Sequence, residues 1–223
     1  MTILLAVSIF LTRPYLYEMP RAEAYLVREG DVRRLVEGFD GIVLVDEAYA
    51  PFAGWSAAKL AEEYANIIIT GTSSKGWGLA GMRIGWAIAN PQIIEVLDRA
   101  RDSYNVDRLA QAAGIAALGD REYYVEKVAR VVEEREKTQE FFASLGWRHF
   151  KSSANFILFA PKNSRGEEGA AVAKNLFEFL RSRKILLRYF PNEASICGSI
   201  RLSIGAPDQM EAFKQAVKEW QAK

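Results

Sequence analysis

In the run Thr72-Ser73-Ser74-Lys75-Gly76-Trp77-Gly78-Leu79-Ala80-Gly81-Met82-Arg83, three hydroxyls precede a lysine. An arginine follows eight residues after that lysine, with three glycines between the two cations. Hydroxyls and the bare amides of a Gly-rich turn leading into a helix make a ready anion site. Glycine lets a ligand approach the backbone without a Cβ clash, and Arg83 adds a planar fork that meets phosphate at two points. Lys75 differs in kind, because a neutral lysine amine forms a Schiff base with an aldehyde. The phosphate-loop pattern GxxxxGK[ST] is absent, which argues against a nucleoside triphosphatase. The competing reading of the same residues is a polar surface loop.

Asp46 follows Ile42-Val43-Leu44-Val45, which places it at the carboxyl end of an apolar strand, where open α/β sheets bind their ligands. A carboxylate at the edge of an apolar core needs a cation or donors; an isolated Asp there also serves as a turn or capping acid. Taken together, the three features describe one ligand: an aldehyde for Lys75, a ring cation for Asp46, and a phosphate for the hydroxyls and Arg83. Pyridoxal phosphate has all three, and its pyridinium nitrogen needs an acidic partner for the ring to act as an electron sink.

Composition narrows the alternatives. Lys plus Arg number 29 against 28 for Asp plus Glu, so no basic field draws nucleic acid. Cys197 and His149 are the only residues of their kinds, which excludes an intrachain disulfide, a cysteine zinc site and most Ser-His-Asp schemes. No metal site is expected, and His149 between Trp147 and Phe150 reads as structural. The opening MTILLAVSIFLT is too short to span a bilayer and lacks a basic flank and cleavage site. It reads as a buried strand in a cytoplasmic protein with no membrane partner.

The elements that must position these residues alternate. REGDVRRLVEGFD reads as a short helix with Leu35 and Val36 buried. GIVLVDEAY reads as a strand enclosed on both faces, SAAKLAEEYA as a helix, and NIIITGT and MRIGWAIAN as two further buried strands. This is an α/β layering with a mainly parallel sheet. Asp120 is placed to cap a long helix that Gly146 stops, with Tyr124, Val128, Val131, Phe142 and Leu145 on its core side. Strand NFILFAP, helix AAVAKNLFEFLRSR, strands ILLRYF and SIRLSIG, and helix PDQMEAFKQAVKEWQ then make a compact α+β unit. The boundary is expected between residues 105 and 120. Arg201 lies on the strand face opposite Ile200 and Leu202, and an arginine so flanked meets either water, as on an exposed edge strand, or an anion.

DEAY at 46–49, TSSKGWGLAGMRIG at 72–85, ILLR at 185–188 and SIRLSIG at 199–205 together resemble the fold-type-I, pyridoxal-phosphate-dependent aminotransferases, and within them the histidinol-phosphate branch. The resemblance runs from about residue 30 to the C-terminus. It implies an aspartate-aminotransferase-like fold, with residues 1–112 as the remaining part of the cofactor-binding large domain and 113–223 as the small domain. By the same resemblance Lys75 holds the cofactor aldehyde and shuttles the proton, Asp46 pairs with the pyridine nitrogen, and Tyr49 bonds the ring hydroxyl. Thr72, Ser74 and Arg83 hold the phosphate. Arg201 clamps the substrate carboxylate and Arg188 helps bind an anionic substrate group. The implied partners are a small amino donor, a 2-oxo acid and a second copy in a homodimer.

Two departures stand against the family pattern. Members are considerably longer, so the chain reads as N-terminally truncated, with an open sheet edge and an uncovered apolar face that favour aggregation. Where the family has an Asn-Pro-Thr-Gly turn, this sequence has Met19-Pro20-Arg21-Ala22, and a thioether cannot replace the amide donor. Three readings follow: an aminotransferase acting on histidinol phosphate with 2-oxoglutarate, a non-catalytic remnant, and a related enzyme such as a decarboxylase of a phospho-amino acid.

Overall fold

The computed structural model describes residues 4–223 apart from 9–26, and for 4–8 only the backbone course. Residues Met19 to Ala22 therefore lie outside the described residues. The described chain packs as two compact units, the first ending at Val128 and the second beginning at Ala129.

In the first unit β1 (Leu4–Ser8), β2 (Ile42–Asp46), β3 (Ile67–Thr72) and β4 (Gly85–Ala89) form one sheet in that order. β1, β2 and β3 run parallel, with Asp46 in register with Thr70, and β4 returns antiparallel with Gly85 opposite Thr72. Helix α1 (Glu29–Gly38) lays Val32 and Val36, one turn apart, on Val43, Val45, Ile67 and Ile69. Removing those side chains from water is the main stabilising term of this unit. Leu35, expected on the buried side with Val36, is only partly buried against that cluster.

Three expectations need correction. β2 is not enclosed on both faces: Val43 and Val45 are buried, whereas Ile42 and Leu44 are half-buried. β4 is an antiparallel edge strand, not a buried one, and leaves Trp86 44% and Ile88 40% exposed. SAAKLAEEYA gives only the single-turn α3 (Leu60–Glu63), because Glu47 holds Ser56 and Ala57 ahead of it and Tyr64 leaves it in an extended conformation. The short α2 (Ala50–Ala53) precedes it; α4 (Pro91–Ala100) and α5 (Arg108–Gly119) follow β4. Asn90 and Asp107 cap α4 and α5 through side-chain oxygens, yet Val96, Leu109, Ile115 and Leu118 on them are exposed.

Helix α6 (Arg121–Ser144) begins with Tyr123 N–H donating to Asp120 Oδ1 at 3.2 Å, and Gly146 follows its end at φ 64°. In the second unit β5 (Arg148–His149), β6 (Phe156–Ala160), β7 (Arg188–Tyr189) and β8 (Ile200–Ser203) form an antiparallel sheet ordered β5-β6-β8-β7. Together with α7 (Ala170–Ser182) and α8 (Pro207–Gln221), α6 encloses a core that includes Phe142, Phe159, Leu176, Ile200 and Phe213. The other face of the sheet carries a small cluster of Leu158 and Ile196, with Phe150 and Phe190 packed against it. His149 lies in the wall of the main core, its Nδ1 3.3 Å from the Trp147 carbonyl and its ring tilted on Phe142, which agrees with a structural role.

Among the described residues, no helix is long and apolar enough to cross a membrane, and no cluster of His, Cys, Asp and Glu could hold a metal ion.

Candidate active site

Asp46 is the last residue of β2, and only one further amide keeps to the ladder with β3. Glu47 N–H donates to the Thr70 carbonyl at 2.7 Å, and Ala48 N–H donates back to Asp46 Oδ1 at 3.0 Å. The side chain of Glu47 points the other way and is only 3% exposed. Its carboxylate accepts from the Ser56 hydroxyl at 2.6 Å and from the Ala57 amide. Burial pushes the Glu47 carboxyl above its usual range; the two hydrogen bonds oppose that, and the neighbouring Asp46 charge adds to it. These bonds fasten the segment after α2 to the end of β2 and so fix the turn that carries Tyr49, which caps α2 ahead of Pro51.

The lysine loop leaves β3 alongside β2. Ser73 donates its N–H (3.1 Å) and its hydroxyl (3.2 Å) to the Ile84 carbonyl, which ties the two limbs of the loop together. Thr72 Oγ1 lies 2.9 Å from Ser74 Oγ and accepts the Ser74 amide at 3.1 Å. The expected helix after the turn is a single 3-10 turn, Ala80–Met82, so any anion here meets turn amides and hydroxyls, not a helix N-terminus. Lys75 is exposed, its ammonium 5.6 Å from the centre of the Tyr49 ring. Arg83 sits at φ 54° and donates from one guanidinium nitrogen to the Ala80 carbonyl at 3.0 Å. A left-handed conformation costs a non-glycine residue about 1–2 kcal/mol, and such strain tends to collect at functional sites.

The structure thus brings Lys75 against Tyr49 and Thr72 against Ser74, at the same sheet end as Asp46, while the Arg83 guanidinium folds back on its own turn. The donor set at that end is an amine, a carboxylate, a phenol, two hydroxyls and a guanidinium. It fits a group bearing an aldehyde, a basic ring nitrogen and a phosphate.

Arg188 and Arg201 belong to the second unit and are direct cross-strand partners on β7 and β8. β8 is flanked on both sides, so Arg201 is not an edge-strand residue. Its guanidinium carbon lies 4.9 Å from the centre of the Phe156 ring and 5.9 Å from that of Phe190, and the Arg188 guanidinium lies 5.6 Å from the same Phe190 ring. Arg201 Nε is buried with no hydrogen-bond partner. Two like charges placed directly opposite repel, and an orphaned buried donor is costly. An anion between the two guanidiniums would offset their repulsion.

Several contributors escaped the sequence reading. Glu47 looked like an ordinary acid of the strand end, and only its burial shows that it anchors the turn. Trp77 stacks on Tyr124 at 3.9 Å, and a cavity of about 350 Å³ adjoins the pair, lined by Glu47, Pro51, Thr72 and Trp86 among others. Phe190 stands two residues after Arg188, a spacing that carried no signal by itself.

Residues 27–217 match the family described as aminotransferase class I and II, and the chain belongs to that family. It is 41% identical over 179 residues to a histidinol-phosphate aminotransferase of Geotalea uraniireducens, a span of 80% of this chain and 49% of that protein. Among solved structures it is similar to the histidinol-phosphate aminotransferase of Sinorhizobium meliloti in complex with pyridoxal-5'-phosphate. That similarity has a TM-score of 0.73 at 25% identity and covers 85% of this chain and 53% of that one. The L-threonine-O-3-phosphate decarboxylase of Porphyromonas gingivalis shares the fold at 20% identity, with a TM-score of 0.69 over 89% of this chain and 61% of that one. The chain spans about half the length of the curated relatives it matches.

Proposed function

We propose that this chain carries the lysine loop and the substrate arginines of a pyridoxal-phosphate-dependent aminotransferase that moves an amino group between histidinol phosphate and 2-oxoglutarate, in histidine biosynthesis. On this reading residues 1–112 belong to the cofactor domain and 113–223 to the small domain, and the working form is a cytoplasmic homodimer. The cofactor, when bound, supplies the electron sink. Lys75 holds its aldehyde carbon and carries the proton at the reacting carbon. Asp46 keeps the ring nitrogen protonated, Tyr49 donates to the ring hydroxyl, and Thr72, Ser74 and Arg83 hold the phosphate. Arg188 and Arg201 receive the anionic groups of the substrates.

The observation that carries this reading is the amine of Lys75 held over the Tyr49 ring, at the sheet end where Asp46 closes a parallel strand. The test supplies the chain with pyridoxal phosphate, histidinol phosphate and 2-oxoglutarate. Glutamate formation supports the reading; if none forms, and a parallel sample given a phospho-amino acid in place of histidinol phosphate releases carbon dioxide, the decarboxylase reading replaces it. In a second reading the chain binds the cofactor without turnover. In that case neither product forms although Lys75 is occupied.

A further inference from the structure

The two arginines share more than a strand register. In the sheet of the second unit, Leu158 pairs with Arg201 and Arg201 pairs with Arg188, so all three side chains rise from one face. Phe190 is packed on Leu158 and Ile196 on that same face, which fixes its ring. The ring lies 5.6 Å from the Arg188 guanidinium and 5.9 Å from that of Arg201, while Phe156 lies 4.9 Å from Arg201. An aromatic face attracts a cation through its quadrupole, and one ring in contact with two cations offsets part of their mutual repulsion. A guanidinium drawn to a ring in this way still has N–H groups to offer an acceptor. Arg201 Nε is such a donor, buried and unmatched.

We infer that Phe190 is the positioning residue that makes Arg188 and Arg201 a single two-pronged receptor for a phosphate-class dianion, not two independent cations. The inference rests on reading the two arginines as an anion site, but it requires neither bound cofactor nor turnover. Phe190 acts only through the guanidiniums: without its ring the two side chains regain their rotamer freedom and separate, and an anion must then pay for ordering both.

The experiment measures inorganic phosphate binding to the full chain by phosphorus NMR, in a buffer free of other oxyanions. The variants are Arg188→Met, Arg201→Met and their combination, each with Phe190 present and in a Phe190→Met background. Methionine keeps much of the volume but not the π face. With Phe190 present, each single arginine loss is expected to remove most of the affinity, and the second to add little. Phe190→Met is expected to weaken phosphate binding about tenfold and to bring the two arginine effects to within twofold of multiplicative. Phe190→Tyr is expected to restore both the affinity and the coupling, and Phe190→Trp to equal or exceed the parent. Urea midpoints identify any variant that fails to fold; if Phe190→Met is one, the tyrosine and tryptophan variants decide. Unchanged affinity and coupling in Phe190→Met overturns the inference, as does loss of affinity in the tyrosine and tryptophan variants at parental stability. Phosphate binding that survives removal of both arginines overturns the anion site itself. Failure of the chain to form glutamate overturns only the catalytic reading.

Discussion

The three glycines between Lys75 and Arg83 experience different physics, and alanine substitution separates them. At Gly76 an added Cβ would lie 2.9 Å from both Cβ and Cγ of Pro51 and 3.0 Å from Cε2 of Tyr124. Ordinary contacts begin near 3.4 Å, and neither neighbour yields easily: Pro51 is locked in the first turn of α2, and Tyr124 is stacked on Trp77. Overpacking of this kind costs about 1–3 kcal/mol. At Gly78 nothing lies within 4 Å, but φ is +68°. The left-handed penalty of about 1–2 kcal/mol is reduced there by about 0.4–1 kcal/mol from a less flexible unfolded chain. Gly81 has open space and no positive φ, so only that gain of about 0.4–1 kcal/mol remains. The expected order of stability is Gly81→Ala at or above the parent, Gly78→Ala below it by up to about 1.5 kcal/mol, and Gly76→Ala lowest or level with Gly78→Ala. Urea titration followed by tryptophan emission measures this order, with the slope checked for constancy. Cofactor labelling of the neighbouring Lys75 should fall in Gly76→Ala and hold in Gly81→Ala. Gly76→Ala as stable as Gly81→Ala, with undiminished labelling, would refute the steric account of the loop.

Other outcomes follow from particular residues. Phe142 is fully buried and stacked on Phe159 at 4.4 Å, so Phe142→Ala should cost about 3–5 kcal/mol; a loss under about 1 kcal/mol in urea unfolding would contradict that packing. Burial raises the Glu47 carboxyl above its ordinary 4.5, so its favourable share of stability is complete below that pH and is lost as pH rises through the higher folded value. The stability of Glu47→Gln relative to the parent should therefore climb from about pH 4.5 upward and then level off, and a flat or falling difference contradicts the burial. In Arg83→Gly, relief of about 1–2 kcal/mol at φ 54° is opposed by about 0.5–1 kcal/mol of unfolded-state freedom. Stability should hold or rise slightly while affinity for pyridoxal phosphate falls about tenfold or more, as an equilibrium titration would show.

Much of the fold was legible because its signals are local. The apolar runs that became β2, β3, β6 and β8, the Asp120 cap and Gly146 stop of α6, and the order of elements after Asn155 all depend on side-chain type and spacing. What escaped depends on neighbours distant in sequence. That MRIGWAIAN would run antiparallel at an edge is decided by its pairing with β3, since an apolar run reads alike in a central or an edge strand. The shortness of α3 is decided by Glu47, which takes Ser56 and Ala57 before a helix can use them. On α6 the helical pattern hid Glu134, Arg135, Thr138 and Gln139, which are buried; loop groups meet two of them, since Arg135 donates to the Ala154 carbonyl and Gln139 accepts the Ser152 amide. The candidate site divides in the same way. Asp46, Thr72, Ser74 and Lys75 could be placed at strand ends from the pattern alone, and Arg201 on its strand face. The pairing of Arg188 with Arg201 and the ring of Phe190 between them needed the sheet.

The central claim is that Lys75 is the residue that takes the cofactor, and one labelling experiment tests it directly. The chain is incubated with pyridoxal phosphate, reduced with borohydride, digested and mapped by mass spectrometry. The expected result is a single modified lysine at Lys75, with labelling reduced in Asp46→Ala and Arg83→Ala at cofactor levels that just saturate the parent. Label spread over surface lysines, or label at Lys75 that is indifferent to Asp46 and Arg83, would contradict it.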